Sequence, residues 1–479
     1  MSRPRLLIPL SIQFSVRYLL RTGLLQRISD FAHPIVLLGW EDEALRDELM
    51  ELGAEVYPLI QARRSVQYER VRSLLSIAYK KRLNSVSEPI WERRADAHRS
   101  FAAGVRRRAR KQVVRAFFAI PGTEEWLLEK ERAMLASHTN FSEFQRQIAA
   151  LQPDGALTLT PYLPSEEMAM RACVAAETSV CASMLSFDNI TSRGWIPVSF
   201  DQYLVWNRYD VAALLRGYPE IAPEMVHIVG APQFDFYWDP KYRWPEQRWR
   251  QHIGLPANGP VILFGGGHYF CAPHEPNLLL QLDQAIEDGG LPSDTTILFR
   301  CHPVDPIGRW LPALSRTKHV VRDDPWARGA VLGQTNLRVS DIEKLASTLH
   351  HCAVHVNVAS TMAIDGSIFD RPQVGPAYDD SPARKFDRIA REVYLQEHYL
   401  PITHAGGLEI ARSRAELVAA VRDGLENPGR LAAGRKQIVK EICTYSDGRC
   451  TERVAAEVRF FLNPMRVDKP VTVEMGRGE

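Results

Sequence analysis

The chain has 479 residues, of which 45% are hydrophobic and 24% charged, with a net charge of +2, which is ordinary for a globular protein. At roughly 100–200 residues per domain, this length predicts two or three domains. The seven scattered cysteines include no C-x-x-C pair, which argues against a zinc or disulfide scaffold and fits a reducing compartment. No apolar run reaches about 18 residues, and Arg17 and Arg21 interrupt the apolar N-terminal segment, so we expect a cytoplasmic protein without a membrane span or signal peptide.

Apolar runs of strand length alternate with helical stretches along the chain, a pattern typical of βαβ units with parallel sheets. The first predicted strands are Leu6–Leu10, Ile35–Leu38 and Val56–Leu59, with helical segments between them. Gly53 stands where the helix before the third strand would end. The opening of the chain therefore predicts a β-α-β-α-β unit.

A basic stretch then interrupts the alternation. Between Gln61 and Arg115, sixteen Lys or Arg residues stand against four acids, so this stretch carries about +12 and the remainder about −10. Its helical spacing predicts a basic helical insertion at about 61–140. Two interpretations stay open: a solvated pair of helices, or a surface that docks on anionic phospholipid headgroups or on a polyanionic acceptor. Each basic side chain near an anionic membrane contributes ~1 kcal/mol, enough together for peripheral contact at its inner face.

The alternation resumes after the insertion and continues through the second half. The further predicted strands are Ala156–Leu159, Val180–Leu185, Gln202–Trp206, Val226–Val229, Val261–Phe264, Thr296–Phe299, Ala353–Val356 and Gln373–Gly375. Pro, Gly and Trp accumulate around 239–255, which indicates a domain boundary there.

These elements predict an α/β fold of two Rossmann-like, doubly wound parallel-sheet domains that face a cleft. The predicted segments are an N-terminal domain (1–240) with the basic insertion, a C-terminal domain (255–440), a terminal helix (441–465) and a flexible tail (466–479). Open parallel sheets bind ligands at the carboxyl ends of their strands, so the loops there carry the functional prediction.

Glycines follow the predicted strand Val261–Phe264. Gly265, Gly266 and Gly267 let a backbone approach a ligand closely, and free amides there suit phosphate oxygens. A tight structural turn is the alternative. His268 comes next and could donate to a diphosphate if protonated.

Cationic side chains follow the next predicted strand. Arg300 and His302 stand at its end, where such donors bind phosphate, and Pro303 stops the strand. Burying these charges without a partner would be costly, which favours a ligand role.

Hydroxyl side chains follow the strand at Ala353–Val356. Ser360 is a predicted N-cap, and the helix start would offer free N–H groups together with the Ser360 and Thr361 hydroxyls to a phosphate. Asp365 could reach a ribose hydroxyl. A capped helix with a solvated Asp is the alternative.

The order of these motifs resembles that of GT-B glycosyltransferases, and is most similar to bacterial capsule and surface-polysaccharide transferases and the CDP-glycerol glycerophosphotransferase-like superfamily. His302 and Pro303 match the HP motif of these proteins, and Ser360 and Thr361 match their Ser/Thr phosphate loop. Asp365 stands where they usually carry Glu, which shortens the side chain by one methylene. The resemblance implies a donor site for a nucleotide sugar in the second domain.

The C-terminal segment 444–453 is also similar to the family's "DG…R" helix, which in GT-B folds crosses back to the first domain. The resemblance covers most of residues 150–465. The succession from Ser186 to Asp235 is similar to that of uncharacterised members of the same superfamily.

Polar residues also follow the strands of the first half. Asp188 and Asn189 come after Val180–Leu185, and Asn207 ends the next strand. Polar residues at successive strand ends favour an acceptor site, although Asn and Asp also form ordinary turns. Gln13 and Arg17 follow the first strand and are predicted to border this site, where Arg17 could bind an anionic acceptor.

Sugar transfer needs a general base and donors that offset the charge of the leaving diphosphate. Asp188 is the first candidate for the base, and Glu166 the second. The dipole of the helix that begins at Glu166 would lower the pKa of this side chain, and a capping role for Glu166 is favoured. His302 is predicted to assist the leaving diphosphate.

No D-x-D sequence stands at a strand end, and no His, Cys or Glu cluster has ligand spacing, so we expect neither a metal nor another cofactor. Arg300, His302 and helix N-termini would replace the metal at the diphosphate. Asp323-Asp324 and Asp379-Asp380 are interpreted as turn residues.

The sequence thus predicts a metal-independent glycosyltransferase that uses a nucleotide sugar to extend a surface polysaccharide, a glycolipid or a related acceptor. Three alternatives stay open: a CDP-polyol phosphotransferase, a nucleotide-sugar 2-epimerase, and a non-catalytic nucleotide- or glycan-binding protein. The basic insertion argues against the epimerase, because an epimerase acts on a small soluble substrate and has no macromolecular acceptor. Nucleic-acid binding is disfavoured, because the basic stretch lacks interleaved aromatic residues.

Overall fold

The computed structural model describes residues 3–97, 100–303, 305–324, 337–380 and 389–463, and the predicted tail (466–479) lies outside these ranges. The described chain divides into two compact units. Unit 1 comprises the residues up to Ser85, Phe101–Gln233 and those from Arg449 onward. Unit 2 comprises Val86–Ser100 and Phe234–Gly448.

Strands are distributed over both units. The described residues contain the strands β1 (Arg5–Leu10), β2 (His33–Leu38), β3 (Glu55–Pro58), β4 (Gly155–Thr158), β5 (Ser179–Ser183), β6 (Gln202–Val205), β7 (Val226–Ile228), β8 (Val261–Gly265), β9 (Thr296–Arg300), β10 (Val320–Asp323), β11 (Val354–Asn357), β12 (Gln373–Pro376) and β13 (Leu408–Ala411). Each predicted strand overlaps one of these.

Helices connect the strands. The described α-helices are α1 (Gln13–Val16), α2 (Leu24–Ser29), α3 (Glu43–Glu51), α4 (Val66–Leu83), α5 (Ser87–Ala97), α6 (Phe101–Phe117), α7 (Thr123–His138), α8 (Phe141–Leu151), α9 (Pro164–Ala175), α10 (Asn189–Ser192), α11 (Arg208–Gly217), α12 (Glu246–Ile253), α13 (Glu275–Glu287), α14 (Leu311–Leu314), α15 (Val339–His351), α16 (Met362–Ile368), α17 (Ile389–Val393), α18 (Leu400–His404), α19 (Arg414–Glu426), α20 (Ala432–Cys443) and α21 (Cys450–Leu462). A π-helical turn, Arg17–Arg21, continues α1. None of the described helices is both long and apolar enough to cross a membrane.

Each unit contains one wholly parallel sheet. The strand order is β3-β2-β1-β4-β5-β6-β7 in unit 1 and β10-β9-β8-β11-β12-β13 in unit 2. In both sheets the order reverses beside the first strand, between β1 and β4 and between β8 and β11, which is the topological switch point of a doubly wound sheet. The predicted α/β class with two doubly wound parallel sheets is confirmed.

The strands are apolar because helices cover both faces of each sheet. In β1, Leu6 and Ile8 belong to one core of unit 1 and Leu7 to the core on the opposite face. In β8 of unit 2, the side chains from Val261 to Phe264 are at most 1% exposed. The continuous apolar runs that predicted the strands are therefore runs buried on both faces.

The predicted basic insertion forms α4 to α7, and it does not stay in one unit. The sequence assigned all of 61–140 to the first domain, whereas α5 belongs to unit 2 and α4, α6 and α7 to unit 1. In unit 2, Ser87 Oγ accepts a hydrogen bond from Glu397 N at 2.7 Å, and Arg93 Nε lies 2.9 Å from Glu392 Oε1. The last helix, α21, belongs to unit 1, where it packs against α2.

A buried carboxylate on α9 anchors the insertion in unit 1. Glu167 is fully buried, and its two oxygens accept from Arg72 Nη1 and Nη2 at 2.7 and 2.6 Å. Arg171 Nε donates at 2.9 Å and Arg64 Nη2 at 2.6 Å. Burial alone would raise the pKa of Glu167, but Arg72, Arg171 and Arg64 hold it below its ordinary value.

We expect Glu167→Gln to lower the free energy of unfolding of unit 1 by about 3–5 kcal/mol, because it leaves the guanidinium groups of Arg72 and Arg171 with only Glu131 as a buried counter-charge among their described partners. Urea denaturation at pH 7 measures the loss. Since the lowered pKa favours the folded state only while the carboxyl is ionised, the wild-type advantage shrinks as the pH falls through the folded pKa.

Glu143→Gln is the matched control, because its partner Arg63 keeps 71% of its side chain exposed and a surface pair contributes only about 0–1 kcal/mol. Equal losses in the two variants would contradict the anchoring role of Glu167.

Candidate functional site at the switch points of the two sheets

Two buried carboxylates and one arginine organise the loop after β8 in unit 2. Glu275, in the first turn of α13, accepts from Gly267 N at 2.8 Å. Asp305 accepts from Tyr269 N at 2.8 Å and from Trp310 Nε1 at 2.8 Å. Arg309 donates to Asp305 Oδ2 at 2.5 Å and to the carbonyl oxygen of Gly267 at 2.7 Å. This loop is therefore fixed by side chains that the sequence analysis did not single out.

The glycines after β8 serve this packing. Gly266 N donates to Arg300 O at 2.9 Å and Gly267 N to Glu275, so the prediction that these amides are free for a phosphate is wrong. A Cβ on Gly265 would lie 2.4 Å from Met362 Sδ, and one on Gly266 would lie 2.9 Å from Trp310 Cζ2. Here the glycines admit neighbouring side chains of the same unit, which is the structural-turn alternative.

Arg300 has a partner that the sequence argument did not anticipate. It is 7% exposed and forms an ion pair with the buried Asp323, the residue opposite it in the β9–β10 register. Lys344 Nζ completes the group at 2.8 Å from Asp323 Oδ1. The burial of Arg300 therefore needs no ligand to explain it, and Asp323 is an ion-pair residue and not merely a turn residue.

The two histidines of the site lie close together. The ring centroids of His268 and His302 are 6.1 Å apart, and both side chains are half-buried. Burial, together with the charge of His268, lowers the pKa of His302 to about 4. In the ligand-free protein His302 is thus neutral at pH 7, and a neutral imidazole donates one hydrogen bond. Its role as a cation at the diphosphate stays a prediction, because an anion beside the ring would raise this pKa.

The loop after β11 differs from the predicted capped helix. The helix α16 begins at Met362, one residue later than expected, with Thr361 and not Ser360 at the N-cap position. Ser360 Oγ accepts from Met362 N at 3.2 Å, Ala363 N donates to Ser360 O, and Ile364 N and Asp365 N donate to Thr361 O. The first amides of this helix are engaged internally, so the prediction of free N–H groups is wrong here too.

Asp365 is buried and not solvated. Its Oδ1 accepts a hydrogen bond of 2.5 Å from Tyr237 Oη within unit 2, and the residue is 7% exposed. Gly366, next in the motif, has no room for a side chain, because a Cβ would lie 2.3 Å from His355 Nδ1 and 2.1 Å from Gln373 Nε2. The Ser360 side chain is half-buried and that of Thr361 is exposed.

In unit 1, a buried glutamate joins the two strand ends at the switch point. Glu166, in the first turn of α9, accepts from Ser11 N at 2.9 Å, from Thr158 Oγ1 at 2.6 Å and from Thr160 N at 3.1 Å. Burial raises the pKa of Glu166, and the hydrogen bonds from Thr158, Thr160 and Ser11 only partly offset this effect. The prediction that the helix dipole lowers this pKa is wrong. Being fully buried, the carboxylate serves to fix the loops after β1 and β4.

Asp188 lies after β5 and remains at the surface in part. Its Oδ2 accepts from Ser192 Oγ at 2.8 Å, and the side chain is half-buried. The neighbouring Asn189 is 2% exposed, and its side-chain amide is satisfied in the orientation in which the nitrogen donates to Asp188 Oδ1 at 3.3 Å and the oxygen accepts from Tyr162 Oη at 2.9 Å; this orientation is assigned from the hydrogen-bond partners. Asn189 therefore orients Asp188 and Tyr162, and its burial does not favour direct contact with an acceptor.

The other residues predicted for the acceptor site have mixed positions. Asn207 is 1% exposed and caps α11, where its side chain accepts from Tyr209 N and Asp210 N, so it is a capping residue. Gln13 and Arg17 follow β1, as expected. Gln13 Nε2 is buried and has no hydrogen-bond partner among the described residues, and Arg17 Nη2 donates to Gln233 O at 3.0 Å.

No group of three or more His, Cys, Asp or Glu side chains that could hold a metal ion occurs among the described residues. The proposed metal independence stays a prediction. The residues that the sequence analysis missed are Glu275, Asp305, Arg309 and Tyr237. A signal for the first exists, since Glu275 precedes Pro276 and an apolar helical run, as a residue of a first helical turn does.

The two doubly wound sheets define the GT-B fold, and comparisons with solved structures agree. The S. aureus protein MnaA, solved with UDP, is 11% identical over 98% of this chain and 100% of that chain, with a TM-score of 0.57. A UDP-GlcNAc 2-epimerase from Neisseria meningitidis, bound to UDP-GlcNAc, is 9% identical over 95% and 99% of the two chains, with a TM-score of 0.55.

A glycosyltransferase from Rickettsia africae is 10% identical over 96% of this chain and 99% of that chain, with a TM-score of 0.50. At these identities the similarity concerns the fold alone. No protein-family model matches the chain, and no curated protein matches it in sequence.

The environment of Glu275 gives a pH-dependent prediction. Burial raises its pKa from 4.5 to about 7, because Arg309 and the Gly267 amide only partly offset the lost solvation. A carboxyl with a raised folded-state pKa favours the folded state at low pH, and this contribution is lost as the pH rises through about 7. Glu275→Gln removes the titration, so the melting temperature of the variant relative to wild type should increase between about pH 5 and pH 8.

Differential scanning fluorimetry at several pH values measures this trend. Glu426→Gln, an exposed carboxylate on α19 of the same unit, is the control and should show the same offset at every pH. An offset for Glu275→Gln that does not change with pH would contradict the raised pKa.

Proposed function

We propose that this protein is a glycosyltransferase that binds a nucleotide-sugar donor on unit 2 and transfers the sugar to an acceptor bound on unit 1. The observation that carries the proposal is the position of four polar side chains, His268, His302, Ser360 and Thr361, after the strands β8, β9 and β11 of a GT-B protein. This edge of a doubly wound sheet is where such folds bind ligands. By their names, solved proteins of this fold carry UDP and UDP-GlcNAc.

In the proposed nucleotide-sugar site, the hydrogen-bond donors are mostly neutral side chains. A neutral His302 and the exposed Thr361 hydroxyl each supply one donor for a phosphate oxygen. Asp365 Oδ1 already accepts from Tyr237, so a ribose hydroxyl would share this carboxylate with Tyr237. The donor complex in this proposal therefore rests on hydrogen bonds with little positive charge from the residues that the sequence singled out.

Asp188 is the proposed general base. In a sugar transfer the acceptor hydroxyl loses its proton as its oxygen bonds the anomeric carbon, and the nucleoside diphosphate leaves. Asp188 is half-buried, and its oriented carboxylate lies after β5 on the same edge of the unit 1 sheet as Ser11 and Gln13. Glu166, the second candidate, is fully buried and hydrogen-bonded, which favours a positioning role.

A nucleotide-sugar 2-epimerase is the second candidate function, and the solved epimerases of the same fold favour it. The basic insertion favours the transferase. An epimerase acts on a small soluble substrate and does not need a strongly basic helix, whereas a transferase can use one to bind an anionic acceptor or membrane. A CDP-polyol phosphotransferase would release CMP instead of a nucleoside diphosphate, and a non-catalytic binding protein would release nothing. Product analysis separates the four.

We expect one nucleotide among UDP, GDP, CDP, CMP and TDP to raise the melting temperature, since a ligand at about a hundredfold excess over Kd stabilises by about 2.7 kcal/mol. With the matching sugar nucleotide and a glycan or glycolipid acceptor, Asp188→Asn should lower kcat by about 10²–10⁴-fold while the nucleotide affinity stays unchanged. Coupled release of the nucleoside diphosphate measures kcat.

Asp47→Asn, the same change at an exposed position of α3, is the control and should keep wild-type kcat. Sugar inversion at C2 without an acceptor would assign the epimerase function instead. Absence of any nucleotide-dependent shift would overturn the proposed function as a whole.

The acceptor side of the proposal includes peripheral contact with an anionic membrane through α6. Six of its 17 residues are Arg or Lys and none is acidic, and Val105 and Val113 are 50% and 69% exposed. A basic helix with exposed apolar side chains is typical of helices that lie at a membrane surface. Such a position would bring a lipid-linked acceptor to unit 1.

We expect the protein to sediment with vesicles that contain phosphatidylserine and not with pure phosphatidylcholine vesicles, and salt near 0.5 M should release it. Replacing the six basic residues of α6 by Gln should abolish the sedimentation without changing nucleotide binding. Retention of the variant on anionic vesicles would contradict this role of α6.

A further inference from the structure

Helix α5 brings a buried arginine into unit 2. Arg94 is 1% exposed, and its guanidinium carbon lies 4.7 Å from the ring centroid of Trp91 and 5.7 Å from that of Phe270. Nη1 donates to Cys271 Sγ at 3.4 Å. Phe270 and Cys271 belong to the loop after β8, so Arg94 lies against the loop that also contains His268.

Most donors of this group have no acceptor. Among the described residues, Nε and Nη2 of Arg94 and Nε1 of Trp91 are buried and have no hydrogen-bond partner. The two carboxylates whose charges act on Arg94 make other bonds, since Glu392 pairs with Arg93 at 2.9 Å and Asp379 accepts from Ala390 N at 2.9 Å. Arg94 and Trp91 are three residues apart on one face of α5.

A buried guanidinium with one thiol as its acceptor is costly. Burial lowers the pKa of Arg94 from its ordinary value, a sign of the same cost. Stacking on Trp91 and Phe270 offsets part of this cost but supplies no hydrogen-bond acceptor. Arg and Trp side chains only donate hydrogen bonds, so the complementary group is an anion rich in acceptor oxygens.

We propose that Arg94 and Trp91 form a binding site for an oxyanion, a phosphate or carboxylate group, beside the loop after β8. Where this group belongs to a nucleotide sugar, the inference rests on the proposed function and deepens it: Arg94 supplies a positive charge that Arg300, paired with Asp323, does not supply. The planar fork of Arg94 suits two oxygens of one phosphate or carboxylate.

The ligand role and a structural role predict different behaviour of Arg94→Met. In the ligand role, the ligand-free variant keeps or exceeds wild-type stability, because a packed apolar side chain replaces an uncompensated charge. In a structural role, the variant loses stability and the effect of anions is unchanged. Arg93→Gln is the matched control, since Arg93 is the exposed neighbour on the same helix.

Isothermal titration and thermal shift with inorganic phosphate and diphosphate test the site on the full chain. We expect diphosphate to bind wild type and Arg93→Gln alike, and to bind Arg94→Met about 10-fold or more weakly. Equal binding to wild type and Arg94→Met, or no binding of any tested oxyanion to wild type, would overturn the proposal. If Arg94→Met does not fold, Arg94→Lys replaces it, because it keeps the charge and loses the fork; unchanged binding would then overturn the proposal.

Two ligand pairs identify the source of the oxyanion. If Arg94→Met weakens the binding of UDP but not that of uridine, the oxyanion is a phosphate. If it weakens the binding of UDP-glucuronate more than that of UDP-glucose, the oxyanion is the carboxylate of the sugar. Binding of diphosphate that depends on Arg94, without binding of any nucleotide, supports the oxyanion site and contradicts the proposed function. Binding of nucleotides with equal affinity to wild type and Arg94→Met supports the proposed function and contradicts the oxyanion site.

Discussion

In each sheet, a buried glutamate fixes a loop at the carboxyl end of a strand that borders the switch point. Where the strand order reverses, neighbouring strands send the chain in opposite directions and leave a gap at their carboxyl ends. Glu166 spans this gap in unit 1 with bonds to Ser11 N and Thr160 N, and Glu275 holds Gly267 N in unit 2. Both stand in the first turn of the next helix, and burial raises the pKa of both.

This arrangement uses the groups that a phosphate would otherwise bind. The amides of Gly266 and Gly267 and the first amides of α16 all donate within unit 2. A phosphate at this edge would therefore bind to side chains and not to these amides, and its negative charge would have to be balanced by cationic side chains. Arg300 pairs with Asp323, and His302 is neutral in the ligand-free protein, whereas Arg94 on α5, beside the loop after β8, has no oxygen acceptor among the described residues.

The fold could be predicted from the sequence because its signal is local. Parallel strands buried on both faces leave continuous apolar runs, and each such run is a strand of one of the two sheets. The site could be predicted only in outline. Asp323 stands 23 residues from Arg300 and meets it only through the register of β9 and β10, and Tyr237 meets Asp365 across 128 residues. Such partners decide whether a polar residue is free for a ligand, and no local pattern contains them.

The basic insertion is the clearest case of one sequence feature with several structural roles. Its net charge suggested a single basic surface. However, Arg64 and Arg72 form ion pairs with the buried Glu167, and Arg94 lies in the interior of unit 2. Only the remaining charge, much of it on α6, bears on a membrane or a polyanionic acceptor. A count of charges along a sequence therefore overstates the surface potential whenever some of the charged side chains are buried. The contacts of each described arginine show whether it is buried or contributes to the surface.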